Sequence, residues 1–306
     1  MKRFFTLLAT ALLAVLPLSA AQTTEPVKNE TKEYKLSGFS GLEVSWIYKV
    51  ELTQSSRYAV SVEAPDFLME YILVEVRNGR LILGVGEMPN DVRRRVEKNG
   101  NHYDVRAYVS MPELSSLQAS GASRLTARGE FSTRKPFELR ASGASQVRDL
   151  SVKAPSADIE VSGASKVFDL NGKFDKFSLR GSGSANITMA GDAKTVDLRL
   201  SGASKLSLKG KLGDVDLQGS GAANTELDGS IESLTAEGSG STKLLANRAP
   251  ARRVRISLSG ASNAMIEVRE ELSVNLSGAS KLNYHPGPAL RITSQSISRA
   301  STLSSF

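Results

Sequence analysis

Two carboxylates and two imidazoles bound the chemistry this chain could perform. Asp149 and Asp169 each stand seven residues after the first serine of a recurring Ser-Gly-Ala-Ser tetrapeptide, where other copies carry Leu208, Leu227 and Ile266. If successive copies stack at the ~4.8 Å spacing of neighbouring strands, the two carboxylates could share a proton or hold Ca²⁺, as a polysaccharide-cleaving centre would require. The competing reading is local and stronger. "VRDL" and "VFDL" place Leu150 and Leu170 next in line, so a one-residue shift at a turn would send both aspartates outward. His102 and His285 lie far apart with no companion nucleophile. The chain holds no phosphate-binding glycine loop, no G-x-S-x-G and no histidine pair at metal spacing. The motif serines lack a base at a recurring position. The expectation is a chain that is not an enzyme and uses neither metal nor cofactor.

The tetrapeptide itself says what must position any site. It or a close variant begins at Ser120, Ser142, Ser162, Ser182, Ser201, Ser220, Ser239, Ser259 and Ser277, at intervals of 18 to 22 residues. A degraded tenth copy begins at Ser298, where Arg299 replaces glycine. Three positions before the motif every copy is apolar (Leu117, Leu139, Ile159, Leu179, Leu198, Leu217, Ala236, Ile256, Val274), and two positions before it every copy is polar. Five residues after its first serine come Leu125, Val147, Val167, Ile187, Leu206, Thr225, Leu244, Ala264 and Leu282. Period-two alternation on both sides of a small-residue corner reads as strand, corner, strand. Second turns are expected at Asn171-Gly172, Gly191-Asp192, Gly210 and Asp228-Gly229.

A unit of about 20 residues cannot bury its apolar face alone, but stacked copies can. The sequence therefore predicts an all-β, right-handed parallel β-helix of about nine or ten coils. Its structural corners are Gly121, Gly143, Gly163, Gly183, Gly202, Gly221, Gly240, Gly260 and Gly278.

In such a stack equivalent positions become vertical columns. The residue after the tetrapeptide runs Arg124, Gln146, Lys166, Asn186, Lys205, Asn224, Lys243, Asn263, Lys281, so lysine and asparagine alternate from the third coil onward. Two ammonium groups one coil apart repel by about 0.9 kcal/mol in water, and the alternation removes that contact. We read the column first as a register device. Its second reading is an outward ladder that binds an anionic polymer. Arg140, Glu160 and Arg180 show a related alternation of sign.

Composition limits the setting. The 306 residues are 40% hydrophobic and 23% charged, inside the globular range. There are no cysteines, so disulfides and thiolate metal sites are excluded. Lys2 and Arg3, an apolar run from Phe4 to Leu16, and Ser19, Ala20 and Ala21 have the layout of a secretory signal peptide over residues 1–21. No transmembrane helix is expected once it is removed. Net charge then falls from +7 to +5 with bases scattered among acids, a poor match for nucleic acid. The clusters Arg93-Arg94-Arg95 and Arg252-Arg253-Arg255 read as solvated faces. Among aromatics, Phe137 and Phe177 occupy inward phases and leave Phe168 as a candidate sugar-stacking platform.

Residues 22–33 read as a linker and 34–110 as a strand-rich cap or first coils, before the repeat over 111–306. In the cap, "NGRLILGV" follows a turn at Asn78-Gly79, "PDFLMEYILVEV" starts as a short helix near Asp66 or runs as strand, and "PNDVRRRVEKNGNH" reads as a loop. "LSGFSGLEVSWIYKVELTQSSRYAVSVEA", "NGRLIL" and "MPELSSLQASGASRL" with its repeated SGAS coils resemble the bacterial family called putative auto-transporter adhesin, head GIN domain. The resemblance implies an exported β-helical protein of the bacterial envelope, periplasmic or on the cell surface, whose partner is a glycan, lipid or protein. It supplies no catalytic motif. The function expected is a non-enzymatic binding or structural surface, adhesin-like. A carbohydrate-active enzyme using Asp149 and Asp169, and a periplasmic lipid- or glycan-binding module, are the alternatives.

Overall fold

The structure, a computed structural model, describes residues 28–98, 103–298 and 300–306. The expected signal peptide, the start of the expected linker, His102 and Arg299 lie outside the described residues.

From Ser116 onward the chain is a parallel β-solenoid, within a molecule of about nine turns. The strand entering each corner pairs in parallel with its copy one coil earlier, so Leu117, Leu139, Ile159, Leu179 and Leu198 stand in one column. The strand leaving the corner does the same through Leu125, Val147, Val167, Ile187 and Leu206. Both columns are buried. Period-two alternation fixes this phase, because a slip of one residue would turn each coil inside out. The degraded tenth copy also stacks: Ser298 N–H donates to the Leu276 carbonyl at 2.9 Å and Thr302 N–H to that of Ser280 at 3.0 Å.

The corner glycines carry two requirements at once. All nine have φ between 68° and 78°, a region that side chains disfavour. The residue after each glycine donates its N–H to the carbonyl of the corner below, as Ala144 does to Gly121 at 2.8 Å and Ala203 to Gly183 at 2.7 Å. This contact draws the backbones so close that a Cβ on Gly202 would sit 2.7 Å from the Gly183 oxygen. The last residue of the tetrapeptide points inward and makes a buried hydroxyl ladder. Thr242 Oγ1 donates to Ser262 Oγ at 2.9 Å, and Ser145 Oγ to the Ala119 carbonyl at 3.2 Å. Ser204 stands between Ala185 and Ala223, and its hydroxyl has no hydrogen-bond partner among the described residues.

The glycines of the second bends serve a different purpose from the turn role expected of them. Among them only Gly229 has positive φ, at 118°. Gly172, Gly191 and Gly210 continue the ladder in extended backbone, and a Cβ on Gly191 or Gly210 would collide with the glycine carbonyl of the coil below. Glycine is needed there for close approach.

The N-terminal part comprises β1 (Asn29–Tyr34), β2 (Gly41–Val44), β3 (Lys49–Gln54), β4 (Ala59–Pro65), α1 (Asp66–Met69), β5 (Ile72–Arg77), β6 (Arg80–Val85), α2 (Asn90–Lys98) and β7 (Arg106–Met111). It is followed by β8 (Ser116–Ala119) and β9 (Arg124–Arg128). β2 lies in parallel between β6 and β8, and β3 between β7 and β9. Leu42 stands opposite Leu117 and Val50 opposite Leu125, so Gly41–Gln54 supplies the two strands and the corner of a coil, with Ser45-Trp46-Ile47-Tyr48 at that corner. The stack is therefore not in chain order. The chain builds this coil, continues outward to the end pair β6 and β7, and returns over it, with Ser115 N–H donating to the Ser40 carbonyl at 2.7 Å.

Trp46 occupies the glycine position with φ 64°. A bulky residue is admissible because β6 and β7, on its outer side, are joined by the long excursion containing α2, with no tetrapeptide corner between them. Only the left-handed backbone cost of ~1–2 kcal/mol remains. Tyr48 takes the place of the ladder serine, is fully buried, and donates its hydroxyl to the Gly84 carbonyl at 3.2 Å.

Two expectations for this region are corrected. Residues 29–33, assigned to a linker, form β1, which pairs antiparallel with β4 and covers its free edge. The first part of "PNDVRRRVEKNGNH" is helix α2: Val92 and Val96 sit one turn apart, Val96 is buried, Asp91 lies in the first turn, and Arg95 and Lys98 lie in the last. The "PDFLMEYILVEV" segment resolves into α1 followed by β5, and Asn78-Gly79, both at positive φ, closes the β5–β6 hairpin.

Gly202→Ala is expected to destabilise the protein by more than ~2 kcal/mol, since left-handed strain and a backbone clash add. Gly38, at φ 77° with nothing within 4 Å of its notional Cβ, isolates the first effect, so Gly38→Ala should cost about 1 kcal/mol. Denaturant unfolding of both variants checks this; equal losses would contradict the close-approach argument.

Candidate functional site

Asp149 and Asp169 are exposed and adopt left-handed backbone, φ 57° and 55°. Each turn shifts the strand phase by one residue, which sends the carboxylate to solvent and buries Leu150 and Leu170 completely. The two lie on successive coils, with Asp149 N–H donating to the Phe168 carbonyl at 3.2 Å. Among the described residues no group of three or more His, Asp or Glu side chains could hold a metal ion. Phe168 is half-buried, and the Arg148 guanidinium lies 4.9 Å from its ring centroid. Phe137 and Phe177 are buried. His285 is exposed, its Nδ1 2.9 Å from the Phe306 carbonyl oxygen.

The corner edge is built differently from the rest of the surface. Its middle is a strip of exposed glycine with alanine or serine, such as Gly202-Ala203 and Gly221-Ala222. On one side the residues after the tetrapeptide stand in register as Lys166, Asn186, Lys205, Asn224, Lys243, Asn263 and Lys281. All four lysines are exposed, and none forms an ion pair with any described residue. Several other bases on the coils are paired, as Lys153 with Glu130 at 2.7 Å, Lys194 with Asp175 at 2.8 Å, and Arg252 with both Glu232 and Glu270, while others such as Lys173, Lys211 and Arg255 form no ion pair with a described residue. The partner carboxylates raise the affinity of Lys194 and Arg252 for their protons. On the other side of the strip a shallow groove of about 720 Å³ runs past Arg180, Arg199, Gln218 and Glu237. Arg180 turns to Asp158, at 3.1 Å, and does not pair with its column neighbour Glu160.

Adjacent cations do occur elsewhere in the stack, which shows what the lysine–asparagine alternation answers. Arg106, Lys49 and Arg124 follow one another in the same column. Asp104 neutralises two of them, with Lys49 Nζ 2.6 Å from Oδ1 and Arg106 Nη2 2.5 Å from Oδ2. Burial pushes the Asp104 carboxyl up, but its bonds to these two cations hold it below the usual carboxylate range. Lys153 and Lys173 are also neighbours, and Glu130 serves Lys153. From Lys166 to Lys281 no carboxylate of a described residue is paired to the column, and an asparagine separates each lysine from the next.

Sequence reasoning missed Trp46 and Tyr48 as corner residues and missed that the four lysines of this column go without counter-ions among the described residues. The first was available in the alternation around "LEVSWIYKVEL", which matches the repeat in phase. The second depends on where each carboxylate points and has no sequence signal.

These features define a parallel β-solenoid whose corner edge is a flat small-residue strip bordered by ordered polar columns. The chain belongs to the family described as putative auto-transporter adhesin, head GIN domain, which matches residues 38–191 and 178–288. Similar crystal structures include a putative lipid binding protein from Parabacteroides distasonis, 15% identical, with TM-score 0.48, covering 91% of this chain and 96% of that one. A putative adhesin from the same organism is 16% identical, with TM-score 0.49, covering 92% and 98%. No curated protein matches the chain. Among the described residues no helix is long and apolar enough to cross a membrane.

Asn224→Lys would set lysines on three successive coils, 205, 224 and 243. Its melting temperature should fall below that of the parent at low ionic strength and recover as salt is added. An unchanged melting temperature at low salt would contradict the register role.

Proposed function

We propose that the protein is an exported, non-enzymatic binding module of the bacterial envelope, adhesin-like, and that it meets its ligand with the corner edge. The leader-like N-terminus and the family support export and the adhesive class. The observation that carries the choice of face is the row of four exposed lysines without ion-pair partners, beside a strip with no bulky side chain. Charges left unpaired on a rigid frame are available to a partner, whereas those of Arg252 or Lys194 are already engaged. The stack fixes the columns against one another, so a ligand meets a preorganised surface and its binding does not include the cost of ordering one.

The test is an array of surface glycans and lipids probed with the full chain and with a variant carrying Lys166→Gln, Lys205→Gln, Lys243→Gln and Lys281→Gln. Binding that falls at least tenfold in the variant, with its melting temperature unchanged, is the expected result. Binding that the variant retains in full would reject the corner edge as the contact face. Shortening of any polysaccharide by the protein, abolished by Asp149→Asn, would replace this reading with the carbohydrate-active one.

A further inference from the structure

We propose that the lysine column recognises a linear acidic polysaccharide that presents one anionic group per disaccharide. This rests on the corner edge being the contact face and assigns it a ligand class.

The argument is one of period. Consecutive coils are one strand spacing apart, ~4.8 Å, so the free lysines recur every ~9.6 Å. An extended pyranose chain advances by about one strand spacing per sugar, and in a ribbon-like glycan alternate sugars turn opposite faces. A carboxylate or sulfate on every second sugar therefore falls opposite Lys166, Lys205, Lys243 and Lys281 in turn. The sugar between meets Asn186, Asn224 or Asn263, whose amides both donate to and accept from hydroxyls. The glycine and alanine corners alongside leave room for a ring to lie against the backbone. The next outward position on each strand is neutral at Thr188 and Ser207, and where it is acidic, at Glu226, the carboxylate is engaged by Arg248.

The same period argues against denser polyanions. A nucleic-acid strand carries a phosphate every ~3.4 Å, so most of its charges would pass this column unmatched. An anionic membrane has no fixed period for a straight row of lysines to select. Individual exposed lysine–carboxylate contacts are weak, so recognition comes from repetition and should require a chain long enough to span all four lysines.

The experiment measures binding of the full chain to hyaluronan, which carries one carboxylate per disaccharide, against polyphosphate at equal anionic-group concentration, neutral dextran, and phosphatidylglycerol vesicles. The expected result is binding to hyaluronan that strengthens with chain length up to about seven sugars and weakens with salt. It should exceed polyphosphate binding at least tenfold, be absent with dextran, and be lost in the four-lysine variant. Equal affinity for polyphosphate would overturn the proposal in favour of charge density alone, and equal binding of dextran would remove charge from the account. Capture by vesicles without hyaluronan binding would overturn it in favour of a membrane surface. If the four-lysine variant loses an array ligand but hyaluronan does not bind, this assignment fails and the contact face stands. If that variant binds every array ligand as the parent does, the contact face fails with it.

Discussion

The hydrogen bond from each corner amide to the glycine carbonyl of the coil below is the contact on which the rest of the structure depends. It brings two left-handed turns so close that the upper one cannot carry a side chain, as the 2.7 Å from a notional Gly202 Cβ to the Gly183 oxygen shows. Once the corners stack, the flanking strands have no freedom of register. Leu198 must lie over Leu179, and Leu206 over Ile187. The interior hydroxyl ladder and the exterior lysine–asparagine column then follow from the same alignment, one turned inward and the other outward.

The exceptions obey the same rule. Trp46 replaces glycine where no tetrapeptide corner lies on its outer side, and Tyr48 replaces a ladder serine where a large ring can close the end of the core. The end is built by a chain that doubles back, so that the antiparallel β1, β4 and β7 cover a flank that would otherwise present unpaired backbone. The cost of the orphaned Ser204 hydroxyl, of order 1–3 kcal/mol, is the price of keeping the tetrapeptide where its neighbours are alanines.

Most of the repeat was legible in the sequence because close approach writes itself as glycine, and burial as period-two alternation. The aspartate turns were legible from the leucine that follows each one. Residues 34–110 were legible as a cap or first coils, but the place of the coil at Gly41–Gln54 was not, because its corner keeps only the serine: at the end of the stack the constraint that enforces glycine relaxes. Helix α2 was hidden because two valines among charged residues are a faint signal until Val96 is seen buried. Of the candidate site, the order of lysines and asparagines could be read directly, but their lack of counter-ions could not, since Arg180 and Lys194 find carboxylates only through side-chain directions.

A surface ordered in this way holds its charges at fixed intervals, and that is what suits it to a repeating ligand. The most direct test of the account is amide hydrogen exchange at the residues after the corner glycines, Ala144, Ala164, Ala203, Ala222 and Ala261. Their side chains are exposed, but their N–H groups are bonded to the coil below. They should be protected as strongly as the buried strand amides of Leu198 and Leu206, opening only with the stack itself. Exchange at the rate of an unstructured chain would show that the corners do not hold the coils in register, and would contradict the account at its base.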